Sequence, residues 1–336
     1  MVLPSPHADA GLAHTDPGKD RTREQEDAVA RPLIHALSAM TMIFALTVGS
    51  GGSPHSNAAT GWTATRLSDP AGTEVRDGAG TLLARLTDGA RTASISGPAR
   101  QWIEAGLTAT VTGDRWVRLL PRPFDGSFDA TEAAWLEGAL ADRSPDLVTL
   151  AFQYTIGAPD QVLAGLRIAG DAKYGPAAGA DFNDFLGVTW TYGKTLDKPE
   201  ATEYGALDCS GFVRMLLGYR MGMPMSISAG VGTLPRRSAD QFSSGPGLIT
   251  VANRGTQVVS FGSLQPGDLL FFDASDRDGT AIDHVGIYLG VDSAGHRRFI
   301  SSRQSADGPT MGDMAGASII DGTGYWARAF RGVRRP

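Results

Sequence analysis

Cysteine is nearly absent from this chain: Cys209 is the one such residue among 336. A lone cysteine forms no internal disulfide, so a disulfide framework is excluded whatever the compartment. Histidine is scarce as well, with six in all and none between His55 and His284. No group of side chains has metal-ligand spacing and no tandem repeat stands out, so neither a metal nor an organic cofactor is expected. Basic charge is in deficit: 30 Lys and Arg against 36 Asp and Glu leave a formal −6. That balance argues against nucleic acid or an anionic membrane surface as the main partner. What is plentiful is Gly, at 43, with 19 Pro, which fits a loop-rich, β-containing fold better than a helix bundle.

Long hydrophobic runs are also lacking, with one exception. LIHALSAMTMIFALTV, residues 33–48, follows a polar, charged stretch that reads as unfolded, and a Gly/Ser/Pro break comes after it. A small-x-small site at Ser56-Asn57-Ala58 predicts a secretory signal cleaved near Ala58 or Ala59, with Arg31 as the positive flank. The alternative is an uncleaved membrane anchor, because the run falls just short of the usual span of about 17–25 residues. Either reading makes the protein exported: secreted or cell-wall associated, or held at the membrane through residues 33–48.

The remainder divides in two. Residues 60–170 form a smaller accessory domain of undisclosed role, with short strands to about residue 125 and Ala- and Leu-rich helical spacing over 129–170, broken at Ser144-Pro145 and Ala158-Pro159. Residues 171–336 read as α+β. A helix over Asp208–Tyr219 places Phe212, Leu216 and Tyr219 on one face, and strands follow at 268–272, 284–291 and 297–302, with YWARAFRGVRR as a further strand. A helix packed on an antiparallel sheet is the expected core.

Cys209 opens that helix behind Asp208, a candidate N-cap worth about 1 kcal/mol. Unsatisfied N–H groups and the helix dipole there favour a thiolate, the form that attacks. Gly211 is expected to leave the turn open to a substrate, and the backbone N–H of Cys209 is available to an oxyanion. The other reading of Cys209 is a small buried apolar residue. For a base, only His284 and His296 follow the predicted cleavage site, and His296 lies in a polar turn. In HVGIYLG a period of two separates Val285, Ile287 and Leu289 from His284, Gly286 and Tyr288. The histidine face is the one expected to meet the helix that carries Cys209.

The segments DCSGF, LPRRSADQF, LQPGDLLFF, DHVGIYLG and YWARAFRGVRR, in this order over roughly residues 180–336, resemble the NlpC/P60 family of cysteine peptidases. The resemblance implies a papain-like core with Cys209 as nucleophile and His284 as base. It implies peptidoglycan or its peptide fragments as substrate, often cut between D-γ-glutamyl and a diamino acid. There are departures. Where the family often has G-x-P-Y-x-W-G, the stretch GVTWTYG puts Trp190 and Tyr192 in exchanged places; with Ser210 these are the oxyanion and substrate-site candidates. The stretch from Asp197 to Gly205 is longer than in the family. On the strand after the histidine the family places a polar orienting residue, frequently His, where this chain has Ser301, with Arg303 and Gln304 nearby. Ser301 is thus the candidate third catalytic residue; a strand residue with no catalytic part is the alternative. Asp268 and Asp283 read as turn residues. Arg328, Arg331, Arg334 and Arg335 read as a solvated strand edge or as contacts to anionic wall polymer.

The leading expectation is an exported cysteine endopeptidase of peptidoglycan stem peptides. Amidase or acyltransferase chemistry on another amide could use the same Cys/His site, and a catalytically inactive wall-binding protein is the third reading.

Overall fold

The computed structural model describes residues 61–176, 179–275, 279–314 and 316–336. The expected N-terminal signal or anchor lies outside them. Among the described residues no helix is long and apolar enough to cross a membrane.

Five strands open the described chain: β1 (Thr63–Ser68), β2 (Ala71–Arg76), β3 (Leu82–Thr87), β4 (Thr92–Trp102) and β5 (Val111–Leu119). They pair in chain order as an antiparallel meander. Two helices follow, α1 (Ala130–Ala141) and α2 (Leu147–Phe152). Asp129 caps the first by accepting from Thr131 N–H, and Asp146 caps the second through Thr149 N–H. The helical spacing read over 129–170 stops there. Beyond Pro159 the chain forms a hairpin, β6 (Gln161–Leu163) and β7 (Leu166–Ala169). Ala164 and Gly165 at its tip have φ of 51° and 82°, the left-handed pair that a two-residue hairpin turn demands.

A short helix, α3 (Phe182–Leu186), and a second small hairpin, β8 (Trp190–Tyr192) with β9 (Thr195–Asp197), precede α4 (Cys209–Val213). The helix expected over 208–219 keeps α-geometry for only five residues and then widens into a π-helical stretch, Arg214–Arg220. Phe212 and Leu216 are nonetheless fully buried. Each such side chain contributes roughly 1.5–3 kcal/mol.

After α5 (Ser238–Ser244) come β10 (Leu248–Val251), β11 (Leu269–Phe272), β12 (His284–Val291), β13 (Arg297–Arg303), β14 (Gly308–Thr310), α6 (Tyr325–Ala329) and β15 (Phe330–Arg335). They build a six-stranded antiparallel sheet in the order β10-β15-β11-β12-β13-β14. YWARAFRGVRR is therefore half helix and half strand. Of its arginines only Arg328, on the helix, is exposed; Arg335 pairs with buried Asp268 at 2.7 Å, Arg334 donates to the carbonyl of Gly245 at 2.6 Å, and Arg331 pairs with Asp273 at 3.0 Å.

Both faces of this sheet are covered. Leu269, Phe271, Val285, Ile287 and Ile300 pack with α4 and the π-helical stretch, while Leu270, Phe272, Tyr288, Phe299 and Val333 pack with Trp326 and Phe330. Trp102, Val117, Leu147 and Tyr154 join the first of these cores. The chain from residue 61 onward accordingly belongs to one compact unit. The terminal carbonyl of Pro336 accepts from Arg91 N–H at 3.0 Å and Thr92 N–H at 2.7 Å, and Glu104 accepts from Met311 N–H at 2.6 Å.

Candidate active site

Asp208 is the N-cap of α4, accepting from Gly211 N–H at 2.7 Å and from the Ser210 hydroxyl at 3.1 Å. Arg236, from the LPRRS segment, reaches the same carboxylate at 2.7 Å and also donates to Ser210 Oγ at 2.8 Å. Asp181, the N-cap of α3, lies 3.5 Å from Arg236 and 2.9 Å from fully buried Arg214. Two cations and two carboxylates from four segments thus fix the first turn beneath Cys209. Ser210 is part of that brace. Gly211 does not open the turn to a substrate: a Cβ there would stand 2.2 Å from the carbonyl oxygen of Ala180. The close approach is made by the chain's own backbone.

Cys209 is 6% exposed, and its Sγ lies 4.0 Å from the carbonyl oxygen of Asp283, the residue before His284. Its thiol is pushed up to about 12, first by burial and then by the Asp208 carboxylate. The N–H groups of Val285 and Ser210 act the other way without overcoming these. The expected low-pKa thiolate is therefore corrected: burial and an adjacent carboxylate outweigh the end of a five-residue helix.

The faces of β12 are also the reverse of the expectation. Val285, Ile287 and Leu289 share the core of Cys209. His284 lies on the other side, opposite Phe272 in the β11 pairing, with ring centroids 5.9 Å apart. The Trp326 ring covers it at 4.7 Å. Among the described residues its buried Nε2 has no hydrogen-bond partner. Burial first, and Arg303 second, push the imidazole down to about 3. Both shifts favour the neutral forms, and what links the two residues is the contact of Cys209 Sγ with the backbone carbonyl of Asp283.

Ser301 is fully buried, and its Oγ accepts from Arg303 Nε at 3.1 Å. Trp190 packs edge-on against Phe182 at 5.0 Å and Tyr219 at 6.1 Å, and the Tyr192 hydroxyl accepts from Arg214. The contacts of both aromatic candidates brace α3 and Arg214. His296, the second histidine, is half-exposed and bonds Asp321 at 3.0 Å.

A cleft of about 410 Å³ is lined by Tyr174, Asp283, His284, Arg303, Gln304 and Trp326, among others. Tyr174 went unnoticed in the sequence. Lys173 pairs with the strand-like stretch leading into α4, through Lys173 N–H to Gly205 and Leu207 N–H to Lys173, which carries Tyr174 toward Cys209. Burial, and then the charge Cys209 would bear, raise the phenol above its ordinary value. That shift favours the protonated phenol, a potential donor at the cleft. Its one sequence signal is an aromatic residue before Gly175-Pro176, 35 positions upstream of the cysteine.

A thiol at a helix start, a histidine at the entry of the neighbouring strand and a phenol at the cleft thus lie on one domain of mixed helix and sheet. Residues 187–335 match the model of the NlpC/P60 family. Among solved structures, it is similar to a protein from Staphylococcus aureus subsp. aureus Mu50 described as similar to lipoprotein, NLP/P60 family. The identity is 20%, covering 65% of this chain and 50% of that one, with a TM-score of 0.27. This chain thus spans half the length of that protein. A comparison with curated proteins gives no match.

Proposed function

We propose that the protein is an exported cysteine endopeptidase that hydrolyses amide bonds in peptidoglycan stem peptides, between D-γ-glutamyl and a diamino acid, on a papain-like core. The observation that carries this reading is the lone thiol at the first turn of α4, in contact with the residue preceding the strand-entry histidine, beside a phenol donor. Cys209 attacks the amide carbonyl carbon as its proton passes to His284. The oxyanion is met by the Cys209 backbone N–H, which has no intrahelical acceptor, and by the Tyr174 hydroxyl. Proton return from the imidazolium expels the amine and leaves a thioester. Water, deprotonated by His284, then releases the acid and restores the thiol. Amine interception of the same thioester would give acyl transfer. Residues 33–48 supply the export signal.

A thiol pushed up to about 12 and an imidazole pushed down to about 3 on the other face of β12 favour a second reading, a wall-binding protein with a silent site. Digestion of purified peptidoglycan separates the two. Under the proposal, wild-type protein releases peptides cut after γ-glutamyl and Cys209→Ala releases none. Equal release by both, or sedimentation with the wall and no release by either, overturns the endopeptidase reading.

A further inference from the structure

The expected polar partner of His284 was Ser301, yet the strand register favours a different residue. Ile287 pairs with Ile300 and Tyr288 with Phe299. Continued toward the start of β12, this register sets His284 across from Arg303, while Ser301 falls opposite Gly286. Gly286 has no side chain to offer, and a Cβ there would meet the Phe299 ring at 2.7 Å. Arg303 is 2% exposed and, among the described residues, its hydrogen-bond acceptors are neutral oxygens: Ser301 Oγ, the carbonyls of Met314 and Gly316, and Ser318 Oγ. Its guanidinium carbon lies 4.8 Å from the centroid of the Trp326 ring, the ring that also lies against His284 at 4.7 Å.

We infer that Arg303 and Trp326 together are the positioning unit of His284, standing in the place where a polar residue on β13 was expected to orient the imidazole. The inference rests on the proposed reading of His284 as the base. The division of labour follows from the contacts. Trp326, seated on α6 among Phe272 and Phe299 at 5.3 and 5.8 Å, is an apolar plate that fixes the plane of the imidazole. Arg303 fixes that plate through a cation–π contact and donates to Ser301 Oγ at 3.1 Å. A cation there also opposes imidazolium, so His284 waits as a neutral base rather than in a standing ion pair with Cys209.

Among the described residues the titratable groups around the imidazole are few. Arg303 comes from β13, Cys209 from α4, Tyr174 from the loop before α3, Tyr325 from α6, and Asp283 precedes it in the chain; β11 offers Phe272. Besides burial, Arg303 is the group that acts on His284.

The test is a pH titration of the full chain with 15N-labelled histidine, followed by NMR, in wild type, Arg303→Met, Arg303→Lys and Trp326→Phe. The wild-type His284 signal is expected to stay neutral to below about pH 4, and Arg303→Met to raise its midpoint by roughly one pH unit or more. Arg303→Lys is expected to restore most of the difference, and His296 not to move in any variant. Trp326→Phe, which keeps an aromatic plate, should lower kcat at unchanged KM. An unmoved midpoint in folded Arg303→Met, or a Lys variant that titrates like Met, overturns the inference. If Arg303→Met does not fold, the Lys variant carries the test: a wild-type-like midpoint supports the assignment and a Met-like shift toward the ordinary histidine value opposes it. Absence of Cys209-dependent hydrolysis in wild type would instead strike the endopeptidase reading, because the histidine titration needs no substrate.

Discussion

Replacing Arg236 by Met should destabilise the protein through the first turn of α4. The arginine side chain is 19% exposed, and the carboxylates of Asp208 and Asp181 it serves are 6% and 4% exposed. Breaking one half of a buried ion pair costs about 3–5 kcal/mol, because the surviving charge loses its compensation without regaining water. Asp208 keeps two donors, Gly211 N–H and the Ser210 hydroxyl, and Asp181 keeps Arg214. The loss should therefore fall near the lower end, about 3 kcal/mol. Urea unfolding at neutral pH reads it directly. Asp208→Asn, which preserves a capping oxygen but removes the charge, should lose less. The Asp208→Asn/Arg236→Met double variant should be more stable than the sum of the singles by about 1–3 kcal/mol, the coupling expected of contacting groups. A loss below about 1 kcal/mol in Arg236→Met, or strict additivity in the double variant, would refute the claim that this network holds the nucleophile's helix.

Three further outcomes follow from the geometry. His284 is depressed in the folded state, so the unfolded chain binds the extra proton first on acidification. Its stabilising contribution is complete above the ordinary histidine value of about 6.5 and falls by roughly 1.4 kcal/mol per pH unit toward the folded value; urea titrations between pH 7 and 5 should show this slope flatten in His284→Leu. Alkylation of Cys209 by iodoacetamide should keep accelerating about tenfold per pH unit through pH 9 and beyond, since its thiol is pushed up to about 12, and a plateau below pH 9 would contradict that burial. Gly211→Ala should destabilise by about 1–3 kcal/mol or more, because its Cβ meets backbone at 2.2 Å rather than a side chain that can turn away; unchanged thermal unfolding would count against the packing described.

The proposed pair could be picked out because of scarcity: one cysteine and, after the predicted cleavage site, a single histidine outside a polar turn. Asp208 was readable as a cap for the same reason, since the carboxylate and Gly211 N–H are three positions apart. What could not be read was anything fixed by distant segments. Tyr174 reaches Cys209 across 35 positions, with α3 and the β8–β9 hairpin between them, so the aromatic residues of GVTWTYG looked better placed than they are. Alternation along HVGIYLG separated two faces correctly, but both are buried, and periodicity does not say which of two apolar coverings carries α4. The arginines of the last strand looked solvated because their partners, Asp268 and the Gly245 carbonyl, lie some 70 to 90 positions away.

The account stands most directly on a covalent intermediate at Cys209. Peptidoglycan peptides mixed with wild-type protein, quenched in acid and digested, should yield the peptide containing Cys209 carrying the mass of an acyl fragment ending in γ-glutamyl. His284→Leu should abolish that adduct. Release of peptide products with no adduct at Cys209 at any quench time, and at an undiminished rate in Cys209→Ala, would contradict the account.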